Sequence, residues 1–425
     1  EKIKKMRLII YNIIVYLIIP LTIIKLVYRG IKNKDYLRGW SERFAIYPDA
    51  EKNKWLKRKT LWMHCVSVGE TKAIYRLLEQ LQKNYPRAHF LITHGTPTGK
   101  KVALPKNKNI HRAYLPYDAF GLVNRFLKFY RPTVGILLEK EIWPNLINQC
   151  NHKKIPLLLI NGRLSNESIK NYKKFRNFYT PLLNKLSNIY VQGESDKKNF
   201  EQLTVHKVQV MGNLKFDQIP PRETVQNSKK MKNDLMIKDQ IIIVAGSTRE
   251  GEEEIILNQI LKMNKKNITL ILTPRHPERF SKVENLLKSK NIKFAKRSQA
   301  SSIRLTPNFI LGDSMDEMYI YYGLANVVIL GGSFFNYGSQ NPIEPLKMKK
   351  PTIIGPSIFN FKDIILEAIK SKAAIQIGHI HELPKTITKL SNLKTRNSMI
   401  QKTKDFISRS EGSSRKALKI ISQYF

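Results

Sequence analysis

Apolar residues run almost without a break from Leu8 to Ile24 (LIIYNIIVYLIIPLTII), and beyond Lys25 the pattern changes to short β-rich runs alternating with amphipathic helices. In the first half the runs LWMHCVSV, HFLITHG, PTVGILLEKEIW, IPLLLINGRL, NIYVQG and VQVMGNLKF read as strands, with helical stretches such as TKAIYRLLEQLQKNY between them. Strands that are apolar at nearly every position, separated by helices, predict a parallel sheet covered on both faces. Prolines and a polar, basic run interrupt the rhythm, and residues 221–238 read as an interdomain linker. The rhythm then restarts with DQIIIVAGSTREGEEE, ITLILTPRHPERF, NFILGDSMDE and NVVILGGSFF. The expected organisation is an anchor over residues 1–30, a Rossmann-like domain over 31–220, the linker, and a second Rossmann-like domain over 239–425. The final helices of the last have the option of packing back on the first domain. Two doubly wound α/β domains facing across a cleft would place ligands beyond the carboxyl ends of the strands.

The opening apolar run is near the lower limit of roughly 17 residues for a spanning helix. Asn12 and Pro20 weaken it, so crossing the bilayer and lying in its interface both stay open. No small-residue cleavage site follows, which argues against a cleaved signal peptide. The chain opens on Glu1, and a native start upstream of it is expected.

Composition adds a second constraint. Hydrophobic residues at 42% suffice for two cores, while 74 Lys and Arg against 33 Asp and Glu give a formal charge of +41. Such an imbalance repels itself unless an anionic partner is near. The cations are mostly Lys and are spread along the chain, and no zinc-finger spacing, RNP-like aromatic run or tandem repeat occurs. An anionic membrane face therefore fits better than nucleic acid. Only Cys65 and Cys150 are present, which implies no disulfide framework and a reducing compartment.

Several loops at predicted strand ends carry candidate chemistry. GGSFFNYGSQNPIEPL (331–346) offers backbone N–H groups for a phosphate and Glu344 for sugar hydroxyls; a Gly-rich turn with a helix-end acid is the alternative. In GSTREGEEE, Glu252, Glu253 and Glu254 read as helix N-terminal acids. In TPRHPERF, Arg275 is placed to clamp a phosphate, with a surface pair to Glu278 as the alternative. In LLEKEIWPN, alternation points Glu139 and Glu141 to one face. In HCVSVGET, Glu70 opens a helix, where the helix terminus stabilises the anion and is expected to lower its pKa. A weak base suffices for deprotonating an alcohol that attacks a carbocation-like sugar carbon.

Taken in order, SVGE (67–70), LEKEIWPNLI (138–147), NGRLS (161–165), GNLKFD (212–217), PRHPERF (274–280), GGSF (331–334), NPIEP (341–345) and GPSIFNFKDI (355–364) resemble the 3-deoxy-D-manno-octulosonic acid (Kdo) transferases of lipopolysaccharide synthesis. The apolar start and RGWSERF (38–44) fit the same family. The resemblance implies a GT-B glycosyltransferase held at the inner membrane and facing the cytoplasm. It implies transfer of Kdo from CMP-Kdo to an anionic lipid A precursor with inversion, without a metal or bound cofactor and without a nucleic-acid partner. It also implies Glu70 as general base and Glu139, with Glu141 beside it, in the acceptor pocket. Contact with CMP would come from Pro274 and Arg275, from Met315, Asp316 and Glu317, and from Asn341, Pro342, Ile343 and Glu344. Two positions depart from the family pattern: Gln340 stands where a His is common, and Asp316 where a small residue is. A UDP-sugar transferase and a basic nucleic-acid-binding protein are the competing readings.

Overall fold

The computed structural model describes residues 2–48, 55, 58–238, 240–265, 267–302 and 306–425. The chain forms two compact units, one of Glu1–Gln218 with Glu411–Phe425 and one of Ile219–Ser410.

The first unit is built on a parallel sheet of seven strands: β1 (Thr60–Cys65), β2 (His89–His94), β3 (Ile110–Tyr114), β4 (Val134–Leu138), β5 (Leu157–Gly162), β6 (Asn188–Val191) and β7 (Val208–Val210), in the order β3-β2-β1-β4-β5-β6-β7. Every residue of β1, β2, β4 and β5 is buried, which is why these strands read as unbroken apolar runs. Successive side chains point to opposite faces. Trp62 joins Leu91, Phe126 and Leu137 on one face, and Leu61 and Met63 join Leu77, Ile92 and Ile136 on the other. At Gly135 of β4 a side chain would sit 2.7 Å from the Trp62 ring, so the indole packs directly on the β4 backbone.

The second unit repeats the plan with β8 (Ile241–Thr248), β9 (Ile268–Pro274), β10 (Ala295–Lys296), β11 (Phe309–Leu311), β12 (Val327–Leu330), β13 (Thr352–Ile354) and β14 (Ala374–Gln376), ordered β10-β11-β9-β8-β12-β13-β14. In both sheets the strand order reverses beside the first strand, between β1 and β4 and between β8 and β12. A crevice opens beyond the carboxyl ends of parallel strands at such a reversal.

The stretch expected to be a linker is structured. Helix Thr224–Asp234 lies within it, and Met231 and Leu235 enter the core of the second unit beside Tyr321 and Tyr322. The Ser228 hydroxyl donates to the Ile320 carbonyl at 2.9 Å. The prolines and cations mark only its exposed side; one apolar stripe at helical spacing suffices to dock it. At the other end of the chain, helix Ser413–Ile421 belongs to the first unit, where Ala417 and Ile421 pack with Leu77 and Met211. The Asp217 carboxylate accepts from the Gly412 N–H at 2.7 Å and from the Ser414 N–H. This caps the helix and complements its dipole.

Candidate active site

Beyond β1 the chain turns at Val66 and enters helix Val68–Ala73 with Ser67 as its cap. The Ser67 side chain accepts from the Glu70 N–H at 3.3 Å, and its hydroxyl donates to Glu70 Oε1 at 2.9 Å. The Val66 N–H donates to Glu70 Oε2 at 2.8 Å. The carboxylate thus folds back over the helix entrance, a variant of the capping box, and is only 7% exposed. Its pKa rises to about 7, mainly through burial and then through the negative charge of Glu139; the Val66 and Ser67 hydrogen bonds oppose the rise. The sequence-based expectation of a lowered pKa is therefore overturned. Desolvation of the carboxylate, with the nearby Glu139 charge, outweighs the helix terminus and the two hydrogen bonds.

Glu139 follows β4, the neighbour of β1 at the order reversal. Its backbone is left-handed (φ 56°), and its carbonyl accepts from the Arg163 N–H at 3.1 Å. Its carboxylate forms an ion pair with Lys215 at 2.8 Å. Glu141 is held differently. It accepts from the Trp143 indole N–H at 2.8 Å and lies 3.9 Å from His64 Nε2. Alternation thus fails as a guide here, because β4 ends at Leu138 and the left-handed turn sends the two carboxylates to different partners. Burial raises the pKa of Glu141, with Glu139 adding to the effect. Burial also holds His64 down at about 4, so the imidazole is neutral near pH 7.

Lys215 reaches Glu139 from a single turn, Leu214–Asp217, set by Asn213 and Asn161. The Asn213 side chain accepts from the Lys215 N–H at 2.9 Å, and Asn161 Oδ1 accepts from the Leu214 N–H at 3.0 Å. Three of the sequence motifs, SVGE, LEKE and GNLKFD, thereby meet at the carboxyl end of one sheet. Nothing local in GNLKFD marks Lys215, because its partner is 76 residues away.

In the second unit the proposed donor contacts follow β9, β11 and β12. Pro274 ends β9 and is buried, while Arg275 is exposed. Among the described residues the Arg275 guanidinium makes no hydrogen bond or ion pair, and its expected alternative pair with Glu278 does not form. Met315 and Asp316 are exposed. Asp316 has φ 61°, a left-handed conformation that Gly adopts most cheaply and that Asp tolerates better than most side chains. Glu317 is engaged by Arg297 at 3.0 and 3.1 Å and by the Ser314 hydroxyl at 2.5 Å. Pro342 immediately precedes helix Ile343–Lys347; Asn341 Oδ1 accepts from the Ile343 N–H at 3.1 Å, and its amide donates to Glu344 at 3.3 Å.

One expectation about the Gly-rich loop is corrected. The buried Glu252 carboxylate accepts from Gly332 N–H at 2.6 Å, from Phe334 N–H at 2.9 Å and from Arg249 N–H at 2.8 Å. Gly331 has room for no side chain, since a Cβ there would meet the Ser247 carbonyl oxygen at 2.4 Å. The N–H groups at 332 and 334 are thus satisfied inside the protein instead of awaiting a phosphate. Glu253 is equally structural, receiving both Arg279 donors at 2.6 and 2.9 Å. A cavity of about 760 Å³ lined by Lys290, Lys293, Phe294 and Phe309 lies at the amino ends of β10 and β11, away from these loops. Among the described residues no three His, Cys, Asp or Glu side chains are grouped to hold a metal ion.

Residues 38–218 match the family model described as 3-Deoxy-D-manno-octulosonic-acid transferase (kdotransferase). A 3-deoxy-D-manno-octulosonic acid transferase of Haemophilus influenzae is 33% identical over 371 residues, covering 86% of each chain. The chain belongs to this transferase family. A second transferase of the same description, from Rickettsia bellii, is 30% identical over 424 residues, with 98% of this chain and 99% of that one aligned. The fold is shared with a Rickettsia africae glycosyltransferase (TM-score 0.58, 12% identity, 87% of this chain and 99% of that one). Membership of the family makes the chain a glycosyltransferase, and its two parallel-sheet α/β units have the GT-B-like fold of that neighbour. The family-matched segment contains Glu70, Glu139, Glu141 and Lys215 together.

Proposed function

We propose that the protein transfers Kdo from CMP-Kdo to a hydroxyl of an anionic, bis-phosphorylated lipid A precursor with inversion at the anomeric carbon, and that Glu70 is the general base. The observation that carries this reading is the buried Glu70 carboxylate at the β1–β4 reversal, with a pKa of about 7 beside a second carboxylate. A base poised near the working pH is efficient at taking a proton from an alcohol. In the step, the acceptor oxygen forms a bond to the anomeric carbon as its proton passes to a Glu70 oxygen. The bond from that carbon to the CMP phosphate oxygen breaks on the opposite face, and CMP leaves with the electron pair. The unpaired Arg275 guanidinium supports contact with the departing phosphate. Pro274, Met315 to Glu317 and Asn341 to Glu344 complete the proposed donor site, and Glu139, held by Lys215, lines the acceptor side. The scheme uses no bound metal or cofactor.

The cellular setting proposed is the inner membrane, with both units on the cytoplasmic side. The helix Met6–Ile31, long and apolar enough to cross a membrane at mean hydropathy 2.2, supports the attachment. The charge of +41 suits both an anionic leaflet and a phosphorylated acceptor.

Mass analysis of products from detergent-solubilised protein, CMP-Kdo and a tetra-acylated lipid A precursor tests the reading. Increments of whole Kdo units are expected with the native chain and not with Glu70→Ala. No increment from competent substrates would refute the transfer, and an active Glu70→Ala would remove Glu70 as base.

A further inference from the structure

The N-terminal helix is docked lengthwise on the first unit. Its less exposed positions, Leu8, Asn12, Val15, Ile19, Thr22 and Leu26, recur at intervals of three and four residues and form one stripe. Polar contacts fix that stripe near its start. The Tyr11 hydroxyl donates to Asp118 at 2.9 Å, and the amides of Asn12 and Asn145 bond each other at 2.9 and 3.3 Å. Farther on, the Gly121 N–H donates to the Tyr16 hydroxyl at 3.4 Å, and Val15 and Ile19 pack against Ala45, Ala119 and Leu122.

This docking leaves too little free helix to span. From Tyr11 to Ile19 these contacts run about 12 Å at 1.5 Å per residue, within the Met6–Ile31 segment that would have to fill the roughly 30 Å hydrocarbon thickness. A perpendicular helix that kept these contacts would draw Asp118 and Asn145 into hydrocarbon.

The opposite face is open and apolar: Ile10, Ile13, Leu17, Leu21, Ile24 and Ile31 are all exposed. Two exposed aromatics of the unit flank the docked stripe. Phe120 adjoins Gly121, and Phe175 adjoins Phe178 by way of the helix Arg176–Leu183, whose Phe178 ring lies 5.9 Å from that of Tyr11. Phe175 stands in the sequence KKFR, with Lys173, Lys174 and Arg176 exposed around it. From Met6 to Ile31 there is no acidic residue. An apolar face edged by aromatics and cations suits the headgroup boundary of an anionic bilayer, whereas a second copy would bring the same cations against it.

We propose that the N-terminal helix lies in the plane of the membrane interface, latched to the first unit by Tyr11 and Asn12, and that its open face, Phe120 and Phe175 form one lipid-facing surface. The proposal rests on the membrane reading above. It also brings the bilayer to the acceptor side, because Asn145, which receives the latch, opens helix Pro144–His152 immediately after the loop carrying Glu139 and Glu141. A lipid acceptor would then reach that loop without leaving the leaflet.

The test uses full-length protein in inside-out inner-membrane vesicles. Cys65 and Cys150 are buried, so added cysteines report cleanly. With a membrane-impermeant maleimide outside, Met6→Cys and Leu37→Cys should both be modified to the same extent. A fluorophore on Leu17→Cys, near the middle of the apolar segment, should be quenched by lipids brominated near the headgroup more than by lipids brominated near the chain ends. Protection of Met6→Cys with Leu37→Cys modified, or dominant deep quenching, would show a spanning helix and overturn the proposal while leaving membrane attachment intact. Cross-linking of Leu17→Cys between copies without lipid quenching would assign the face to a dimer and overturn it too. Failure to sediment with vesicles would refute the membrane reading itself.

Discussion

If Glu70 is the base, the pH dependence of transfer should expose it. A carboxyl with pKa about 7 is only about one-tenth ionised near pH 6, so kcat should be about tenfold below its plateau there and level off above about pH 8. A carboxyl at the ordinary 4.5 would give a flat profile over the same range. Glu70→Gln keeps the size of the side chain but cannot accept the proton, and a loss of about 10²–10⁴-fold is expected. Stability supplies an independent readout. The folded protein holds this proton more tightly than the unfolded chain, so the associated stability is complete below the unfolded value and is lost as pH rises through about 7. The displacement from 4.5 to about 7 corresponds to roughly 3 kcal/mol, an upper figure for a group with some solvent contact. Asp118, Glu141 and Glu252 are also raised by burial and add to this trend, while the buried His64 and His94, held down, oppose it below about pH 6.5. The difference between native protein and Glu70→Gln, measured by denaturant midpoints near pH 5 and pH 8, isolates the Glu70 share. A flat rate profile from about pH 5.5 to 8, together with the same stability loss in Glu70→Gln, would refute this account.

Three further outcomes follow from the same geometry. Lys215→Met leaves the Glu139 carboxylate without its cation at a site where both side chains are about one-sixth exposed, and should cost about 2–3 kcal/mol in denaturant unfolding, with the Glu139→Gln, Lys215→Met double variant recovering most of it. Arg275→Ala should raise KM for the donor about tenfold or more while leaving Tm unchanged, because the guanidinium holds no other part of the fold; a lowered Tm would contradict that. Glu252→Gln replaces one acceptor oxygen by a donor facing backbone N–H groups, so a loss of about 2–4 kcal/mol is expected by calorimetry.

The two sheets were legible because their central strands are buried on both faces, and Val-, Ile- and Leu-rich runs between amphipathic helices have few other uses. The helix Thr224–Asp234 was not, since its exposed side carries Lys229 and Lys230, two of its buried positions are the polar Thr224 and Ser228, and only Met231 and Leu235 are apolar there. Motif order brought Glu70 and Glu139 to attention, but their environment was not written locally. Glu70 is shifted by burial and by a charge on another strand, and Lys215 is fixed through Asn161 and Asn213. The loop at Gly332 misled for the opposite reason. Its composition is that of an anion cradle, and the anion it holds is a side chain of its own unit.

That side chain also clarifies what distinguishes Glu70. Each unit places a glutamate near the start of the helix that follows its first sheet strand in sequence, Glu70 after β1 and Glu252 after β8, and each folds back onto backbone N–H groups at the order reversal. Glu252 is fully enclosed, with both oxygens engaged by three backbone donors, and ties two loops together. Glu70 receives one backbone donor and one hydroxyl, keeps 7% of its surface open, and faces the charge of Glu139. A Ser67→Ala variant removes that hydroxyl donor, which stabilises the carboxylate form. The Glu70 pKa should therefore rise further, moving the acid limb of the rate profile to higher pH while the plateau rate changes less. An unmoved limb would mean that the titration governing the rate belongs to another group.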